Sequence, residues 1–290
     1  MNLSDLRVFE AVSRHGSMNR AAQELHTVQS NVTARIRALE EELGVRLFQR
    51  HARGVSTTPA GERILPFVGR ITKLLADVRT AAHDDGTPGG TLPIGSLETT
   101  TALRLSPLLG QFAKTYPQVR LVVTTGTTRR LIDDVVSCRV DGAFVAGPVS
   151  HPDLDREVIF QEELALVTSP AVSTMEDLAE IVDLKTIVFQ IGCSYRQRLE
   201  SLLADRGIVT SKPLEFGSLD TIISCVSAGV GITLLPRGVV AAAARDGRVA
   251  IHALPPERSL VDTLFVRRKD TYTSSAMTAL LDMLRSGRSA

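Results

Sequence analysis

Hydrophobic residues near the start of the chain recur every three or four positions, which is the spacing of one face of an α-helix. They predict a first helix that Asn2 or Ser4 can cap, formed around Leu3, Leu6, Val8, Phe9 and Val12. Residues 17–44 hold two more patterns of this kind, and only a few residues around Thr27 separate them. We therefore predict a helix, a short turn and a second helix that begins with Gln-Ser-Asn.

The next residues predict a small wing and a long helix. Residues 45–61 alternate between polar and apolar and turn at Gly54, as in a two-stranded ribbon. Thr58 suits the N-cap of the long helix, with Pro59 at its first position and Pro66 as a point where it should kink or loosen. Little sequence surrounds this helix, so we expect its apolar stripe to pack against a helix of a second subunit. The predicted dimerisation residues are Ile64, Phe67, Ile71, Leu74, Leu75 and Val78.

The hydrophobic pattern changes after residues 83–90, His-Asp-Asp-Gly-Thr-Pro-Gly-Gly, whose composition is typical of a hinge. From there strand-like runs alternate with helical ones along the rest of the chain. Such alternation predicts parallel sheets covered by helices, and its length suits two lobes. The predicted domains are residues 1–58, a linker helix and hinge at 59–88, and an α/β domain at 89–290, with lobe I at about 89–162 and 264–290 and lobe II at about 163–263.

Composition and charge add one feature to this picture. The chain has 290 residues, is 43% hydrophobic and carries a formal net charge of +1, so it suits folded domains and has no overall field towards nucleic acid or membrane. Before Lys73, however, the chain contains arginines and no lysine. The planar guanidinium of arginine can bind phosphate or a guanine edge through two hydrogen bonds. The alternative is the codon bias of an Arg-rich genome, because lysine is rare throughout the chain.

A helix, a short turn and a second helix form the arrangement in which the second helix can lie in the DNA major groove. Val32, Ile36 and Leu39 make its core face, so the polar residues at its start point away from the core. The alternative is an ordinary αα-hairpin with a solvated polar face. The predicted DNA-binding residues are Gln29, Ser30, Asn31, Thr33, Arg35 and Arg37 on this helix, with both arginines on one exposed side, and Arg50 and Arg53 on the wing.

Four helices of the α/β region are predicted to begin with small polar residues directly after strands. Backbone N–H groups at helix starts bind anions, and in open α/β sheets such turns gather at the carboxyl ends of the strands. We therefore predict a ligand cleft there, with a carboxylate-bearing ligand as the first hypothesis. The alternative for each residue is plain N-capping, which every helix needs. The predicted ligand-binding residues are Ser96, Thr99, Thr100, Thr128, Ser194 and Ser218.

The sequence gives little support for catalysis or metal binding. It contains no G-x-S-x-G, no H-E-x-x-H and no phosphate loop, and its six histidines have no ligand spacing. Cys138, Cys193 and Cys225 are widely spaced, so we expect no disulfide framework, no metal site and no cofactor. Cys193 has two interpretations at its predicted helix start beside Arg196 or Arg198. It is either an oxidant-sensing thiol of lowered pKa or a small packed residue.

Six segments together make the chain resemble the LysR-type transcriptional regulators over essentially its whole length. They are LRVFEAVSRHGSMNRAAQELH, QSNVTARIRALEEELGVRLFQR, TTPAGE, the long helix after it, IGSLETT and CVSAGVGITLLP. The resemblance implies an all-α winged helix-turn-helix, a dimerising linker helix and a two-lobed α/β effector domain similar to periplasmic binding proteins. GCSYRQRLE with EFGSLDTI is similar to a YofA-like subset, and Thr99, Thr128 and Ser194 match positions that line the effector cleft of the family.

Two positions depart from the family pattern. Val28 stands where a Ser or Thr commonly starts the recognition helix, so either Thr27 caps the helix one residue earlier or the cap is lost. Ala34 stands where an Arg is common, and Arg35 follows it. Contacts to DNA bases at these two positions should therefore differ from those of the family.

The expected function is that of a DNA-binding transcriptional regulator controlled by a small-molecule effector in its C-terminal cleft. The alternative is a solute-binding protein or small-molecule enzyme with a helical dimerisation domain. The resemblance implies a homodimer or homotetramer on palindromic promoter DNA, and we expect an anionic metabolite as effector and RNA polymerase as a partner if the protein activates transcription. We expect a cytoplasmic protein with no membrane partner, because the sequence has no leader pattern and no apolar run long enough to span a bilayer.

Overall fold

The computed structural model describes residues 1–51, 54–181 and 183–286. They divide into two units, Met1–Asp85 with Val136–Arg139, and Gly86–Val135 with Val140–Ala290. The long linker helix therefore groups with the N-terminal helices. The predicted boundaries at residues 58 and 88 stay predictions.

The first unit consists of three helices, a two-stranded antiparallel ribbon and a long helix. These are α1 (Leu3–His15), α2 (Met18–Glu24), α3 (Gln29–Leu43), β1 (Phe48–His51), β2 (Gly54–Thr57) and α4 (Pro59–His83). Phe9, Ile36 and Leu47 lie in their common core, each at most 2% exposed. The predicted helix–turn–helix and wing are confirmed, and burial of one apolar face holds α3 against its neighbours.

Side-chain caps define where two helices of this unit begin. The Asn2 side chain accepts from the Asp5 N–H at 3.0 Å, and the Asp5 carboxylate accepts from the Asn2 N–H at 3.1 Å, which is a capping box. The Thr58 hydroxyl accepts from the Gly61 N–H at 3.1 Å at the start of α4. Pro66 lies inside α4, which continues through it as a helix.

A buried carboxylate joins α3 to the wing. Glu40 is 7% exposed, and its Oε1 accepts the backbone N–H groups of Leu47 at 2.8 Å and of Phe48 at 3.1 Å. Its Oε2 pairs with Arg46 at 3.0 Å. Because Leu47 and Phe48 are buried where β1 begins, their N–H groups need an acceptor inside the protein. Glu40 supplies it and thereby fixes the wing against α3.

The second unit alternates strands with helices. In chain order they are β3 (Gly90–Ser96), α5 (Glu98–Thr100), α6 (Ser106–Thr115), β4 (Val119–Thr125), α7 (Thr128–Val136), β5 (Gly142–Ala146), β6 (Leu154–Thr168), β7 (Ile187–Val188), α8 (Ser194–Ala204), β8 (Leu214–Glu215), α9 (Leu219–Ser227), β9 (Thr233–Pro236), α10 (Arg237–Arg245), β10 (Ala250–Ala253), α11 (Pro256–Ser259), β11 (Leu260–Arg268) and α12 (Ser275–Ser286). Between α5 and α6 the stretch Thr101–Leu105 is π-helical, so the chain stays helical from Glu98 to Thr115.

The main sheet of this unit is mixed. Its strand order is β10-β6-β11-β5-β3-β4, and β9 also pairs with β6. β3 runs parallel to β4 and β5, whereas β6 and β11 run antiparallel to their partners. The prediction of parallel sheets was therefore incomplete, because the chain leaves one lobe along β6 and returns to it along β11.

The long strand β6 belongs to both lobes. Its residues up to Glu163 pair with β11, and those from Leu164 to Thr168 pair with β9 and β10. Each lobe has its own hydrophobic core, one containing Phe112 and the other containing Ile222, both fully buried. The predicted lobe boundary at residues 162 and 163 lies next to the point where β6 changes partners.

Candidate nucleic-acid interface and ligand cleft

The second helix of the helix–turn–helix, α3, begins without a side-chain cap. Its N-cap residue is Val28, which is 64% exposed and makes no capping hydrogen bond to the described residues. Thr27 does not replace the cap, because its hydroxyl accepts a hydrogen bond from the Asn31 side chain at 2.9 Å. Of the two alternatives for this helix start, the lost cap is therefore the correct one.

The polar residues at the start of α3 form an accessible surface. Gln29, Ser30, Asn31 and Arg37 are exposed, and Thr33 is half-buried. Gln29, Thr33 and Arg37 stand one helical turn apart, and the Gln29 amide donates to the Thr33 hydroxyl at 3.3 Å. The Arg37 guanidinium makes no hydrogen bond or ion pair with any residue of the described ranges. This row therefore presents an amide, a hydroxyl and a free guanidinium, the groups that bind base edges and phosphates.

Arg35 does not belong to this surface, which corrects one prediction. Residues two positions apart are about 200° apart around an α-helix, so Arg35 and Arg37 cannot share one exposed side. The Arg35 Nη1 donates to Oδ1 of Asp5 at 2.9 Å, and the Asp5 side chain is 11% exposed. Arg35 therefore ties α3 to the start of α1, and the structure does not favour its predicted role in binding DNA.

The wing and α3 border a common groove of about 960 Å³. Arg37 and Arg50 both line it, and Arg50 is exposed without an ion pair to any described residue. Arg46 lines the groove as well. Its side chain pairs with Glu40 and is still 79% exposed. Sequence reasoning placed Arg37 and Arg50 in the interface but missed Arg46. The predicted contact from Arg53 lies outside the described residues.

The linker helix α4 carries an exposed apolar stripe. Phe67 is 62% exposed, Leu74 60% and Val78 61%, and Ile71 is 38% exposed. These four residues follow a spacing of four, three and four positions, which is that of a coiled-coil seam. Ile64 is a correction to the predicted set, because it packs against the core of its own N-terminal unit. Leu75, the remaining predicted residue, is half-buried.

A cavity in the second unit collects the starts of four helices. Its volume is about 120 Å³. It lies where β3, β4, β7 and β8 end, the position at which ligands bind in open α/β sheets. Its lining residues come from the start of α5, the turn before α7, the start of α8 and the turn before α9, and they are Leu97, Glu98, Thr99, Thr125, Gly126, Thr127, Phe189, Gln190, Cys193, Tyr195 and Gly217.

The predicted ligand-binding residues fall into two groups. Thr99 lines the cavity, whereas Ser96 and Thr100 are 0% and 4% exposed and do not line it. The Ser96 hydroxyl donates to the Leu97 carbonyl at 3.0 Å, so its role is structural. Both residues are buried in the lobe away from the lining, so the structure does not favour their predicted role in binding a ligand.

The other three predicted residues lie next to the lining. Thr128 and Ser194 directly follow the lining residues Thr127 and Cys193, and their hydroxyl oxygens are buried without a partner among the described residues. Ser218 is exposed beside the lining residue Gly217 and makes no capping bond to α9. All three positions mark helix starts at the cavity, although none of the three side chains lines it.

Glu98 is the functional candidate that sequence reasoning missed. It lines the cavity from the start of α5, and its Oε1 accepts from the backbone N–H of Leu219 at 2.8 Å. A carboxylate of one lobe thus caps helix α9 of the other lobe. A second link crosses the cavity rim, where the Arg129 N–H donates to the Gly192 carbonyl at 3.3 Å. The signal available in the sequence was an acidic residue at a helix start that directly follows a strand.

Burial controls the ionisation of two lining residues. It raises the pKa of the Tyr195 hydroxyl to about 12, although the neighbouring Thr99 side chain lowers that pKa in part. Tyr195 is 4% exposed, and its hydroxyl makes no hydrogen bond of ordinary geometry to the described residues. Burial also raises the pKa of Cys193, against the lowering effect of the Arg196 and Tyr195 N–H groups. This favours the interpretation of Cys193 as a packed, protonated thiol.

Within residues 1–51, 54–181 and 183–286, no three His, Cys, Asp or Glu side chains are grouped so that they could hold a metal ion. The helices in the same ranges include none that is long and apolar enough to cross a membrane.

Comparison with protein families gives two matches that together span nearly the whole chain. Residues 3–62 match the bacterial regulatory helix-turn-helix protein, lysR family, and residues 85–289 match the LysR substrate binding domain. Among curated proteins, the HTH-type transcriptional regulator GltR of Bacillus subtilis is 40% identical over 285 residues, which are 98% of this chain and 96% of GltR. The HTH-type transcriptional regulator YofA of Bacillus velezensis is 38% identical over 285 residues, 98% of each chain.

Solved structures with the same architecture include full-length regulators. A full-length OxyR variant from Pseudomonas aeruginosa superimposes with a TM-score of 0.72 at 22% identity, over 98% of this chain and 95% of that one. Full-length CbnR, in a complex with its target DNA, gives a TM-score of 0.64 at 25% identity over 100% of both chains. The winged helix, the linker helix and the two-lobed domain therefore recur together in one fold.

Proposed function

Because this chain belongs to the LysR family of transcriptional regulators, we propose that a small carboxylate-bearing effector in the cavity between four helix starts controls its action on promoter DNA. The chain is a DNA-binding regulator with an effector-binding domain, and its family and relatives are regulators, not enzymes. It binds promoter DNA and a small-molecule effector and acts as an oligomer. Nothing favours the alternative of a solute-binding protein or an enzyme with a helical dimerisation domain.

Of the four helix starts at the cavity, that of α8 carries the proposal for a carboxylate, because the Arg129 N–H of α7 and the Leu219 N–H of α9 already have acceptors in Gly192 and Glu98. First-turn N–H groups have no partner inside their own helix, and the helix dipole adds positive potential there. Helix α8 lacks a side-chain cap within the described chain, and the buried hydroxyls of Thr128 and Ser194 beside it lack partners there as well. A carboxylate can accept several such hydrogen bonds.

The size of the cavity limits the effector. Its volume of about 120 Å³ is close to that of a cavity of about 150 Å³ that holds benzene in another protein. A compound of about the size of benzene, roughly six non-hydrogen atoms, therefore suits it.

Thermal-shift screening of the full-length protein tests the carboxylate. Small carboxylic acids are compared with their methyl esters, which keep the carbon skeleton and lose the charge. An acid at one hundred times its Kd should stabilise the protein by about 2.7 kcal/mol, and its ester should not. Thr99→Val should weaken binding of the acid, because it removes a hydroxyl that lines the cavity. Esters that bind as well as their acids would contradict the proposal.

For the DNA interface we propose that Gln29 contacts a base edge, with Ser30, Asn31 and Thr33 beside it, and that Arg37 and Arg50 bind phosphate. The exposure of these side chains and the two free guanidiniums support this assignment. The phosphate role predicted for Arg53 and the further contact from Arg46 belong to the same proposal.

Salt-titrated binding to cognate and scrambled duplexes distinguishes the two roles. Gln29→Ala should cost roughly 1–3 kcal/mol on the cognate duplex and much less on the scrambled one. Arg50→Ala should weaken both equally and lower the salt slope by roughly one. Arg120→Ala, an exposed arginine of the α/β unit, is the matched control and should leave both curves unchanged. Equal losses on both duplexes for Gln29→Ala would contradict its contact to a base.

The exposed stripe of Phe67, Ile71, Leu74 and Val78 is the proposed dimerisation seam. Two such stripes would cover each other in a symmetric pair, which gives a homodimer, and a homotetramer would be built from two such pairs through a further interface. RNA polymerase is a further proposed partner if the regulator activates transcription. We place the protein in the cytoplasm, where bacterial promoter DNA is found.

A further inference from the structure

The geometry of the cavity points to a second charged group on the effector. We propose that the effector carries an ammonium group as well as its carboxylate, and that Glu98 binds the ammonium. This inference rests on the carboxylate proposed above. The effector class is then that of small amino acids and related amino carboxylates.

Glu98 has an oxygen available for such a ligand. Its Oε1 accepts from the Leu219 N–H at 2.8 Å, whereas its Oε2 has no hydrogen-bond partner among the described residues. Glu98 is half-buried and lines the cavity. An ammonium group has three N–H donors, so it can reach Oε2 while the bond to Leu219 persists. Hydrogen bonds between two charged groups are the strong ones in proteins.

The charge around Glu98 points in the same direction. Among the described residues that line the cavity, Glu98 carries the only charge, and no Lys, Arg or His lies beside it in the lining. An effector with carboxylates alone would bring like charges together in a half-buried site, which is unfavourable. An amino acid places its carboxylate against the start of α8 and its ammonium against Glu98. Both signs of charge in the cavity then have a complementary partner.

A simpler interpretation is that Glu98 only caps α9. Ser218 makes no capping bond there, and Glu98 replaces it from the other lobe. The two interpretations differ in one respect that can be tested. A glutamine at this position keeps a side-chain oxygen for the Leu219 N–H but loses the negative charge. Glu98→Gln therefore preserves the cap and removes the proposed ammonium site.

The first experiment needs no variant. Full-length wild-type protein is titrated by calorimetry with the common L-amino acids, with the matching acids that lack the amine, and with the matching amines that lack the carboxylate. At least one amino acid should bind at least tenfold more tightly than its deaminated analogue. Deaminated acids that bind as tightly as every amino acid, or a complete absence of binding by amino acids and amines, would overturn the inference.

The second experiment uses Glu98→Gln and a matched control, Glu163→Gln. Glu163 is an exposed carboxylate on β6 that pairs with Arg237 at 3.4 Å outside the cavity. Glu98→Gln should lower the affinity for the amino acid at least tenfold and leave the affinity for the deaminated analogue nearly unchanged, whereas Glu163→Gln should bind like wild type. An unchanged affinity for the amino acid in Glu98→Gln would also overturn the inference.

The outcomes separate this inference from the proposal on which it rests. If acids bind without any preference for the amine, the carboxylate proposal stands and the ammonium site fails. If amines without a carboxylate bind as tightly as amino acids and lose affinity in Glu98→Gln, the ammonium site stands and the carboxylate proposal fails.

Discussion

The buried carboxylate of Glu40 is predicted to hold the wing in place, and its removal should open β1 locally. Glu40→Ala deletes the oxygen that accepts the Leu47 and Phe48 N–H groups. These residues are 0% and 8% exposed, so water cannot readily replace the lost acceptor. The wing carries Arg50, so local opening there should also disorder a proposed phosphate contact.

The cost follows from the number of N–H groups left without an acceptor. Each unsatisfied buried donor costs about 1–3 kcal/mol, so two of them cost about 2–6 kcal/mol. The ion pair to Arg46 adds less than about 1 kcal/mol, because that side chain is 79% exposed. Glu40→Gln keeps a neutral oxygen for the same N–H groups and should cost only about 1 kcal/mol.

Amide hydrogen exchange at Leu47 and Phe48 measures this local opening directly. Because about 1.4 kcal/mol corresponds to a factor of ten, Glu40→Ala should speed exchange at least roughly thirtyfold. Glu40→Gln should speed it by less than roughly tenfold. Glu41→Ala, an exposed neighbour that makes no side-chain hydrogen bond to the described residues, is the matched control and should exchange like wild type. If Glu40→Ala exchanged like Glu41→Ala, the carboxylate would not be what orders β1.

Three further predictions concern the seam, the uncapped helix and a half-buried histidine, His252. Leu74→Asp should shift the protein to monomers in light scattering, because it places a charge in the apolar seam. Ala76→Asp should not, because Ala76 is exposed on another side of α4. An unchanged mass for Leu74→Asp would rule out the seam. Val28→Ser gives α3 a hydroxyl cap and should stabilise its first turn by about 0.5–2 kcal/mol. Amide hydrogens of this turn should then exchange more slowly than in wild type, and unchanged or faster exchange would contradict the prediction. Burial lowers the pKa of His252 below its ordinary 6.5, against the opposing effect of Asp177 and Glu176. The unfolded chain then binds the proton more readily, so the free energy of unfolding should fall as the pH drops below about 6.5. In urea titrations between about pH 7.5 and pH 5.5, His252→Asn should flatten this fall. An unchanged dependence of the free energy of unfolding on pH would contradict the prediction.

The helices with strong apolar periodicity were predictable from the sequence, and two elements were not. The part of β6 before Leu164 carries Asp155, Glu157 and Glu162, so it lacks the continuous apolar run of the part that follows. Helix α10 contains four consecutive alanines, which give no contrast between a buried and an exposed face. In both cases tertiary packing decides a structure that local pattern leaves open.

The sites were predictable only where a single element determines them. Gln29 and Arg37 follow from the periodicity of α3 alone, and Thr99 follows from a strand that leads into a helix. Arg35 was misplaced although the helical period already puts it about 200° from Arg37, whereas its partner Asp5, 30 positions away, could not be read from spacing. Glu98 was missed because its partner Leu219 lies 121 positions away. Contacts of this length depend on the packing of whole elements, which residue spacing does not encode.

The strand β6 limits how the two lobes can move. Its hydrogen bonds to β11 and to β9 and β10 are in different lobes, and they meet between Glu163 and Leu164. A change of twist at this junction would rotate one lobe against the other without breaking a hydrogen bond of the β6 ladder, although opening the cavity would break the bond from the Arg129 N–H to the Gly192 carbonyl. Torsion along this continuous strand would change the angle between the lobes, and that angle is the quantity on which an effector in the cavity would act.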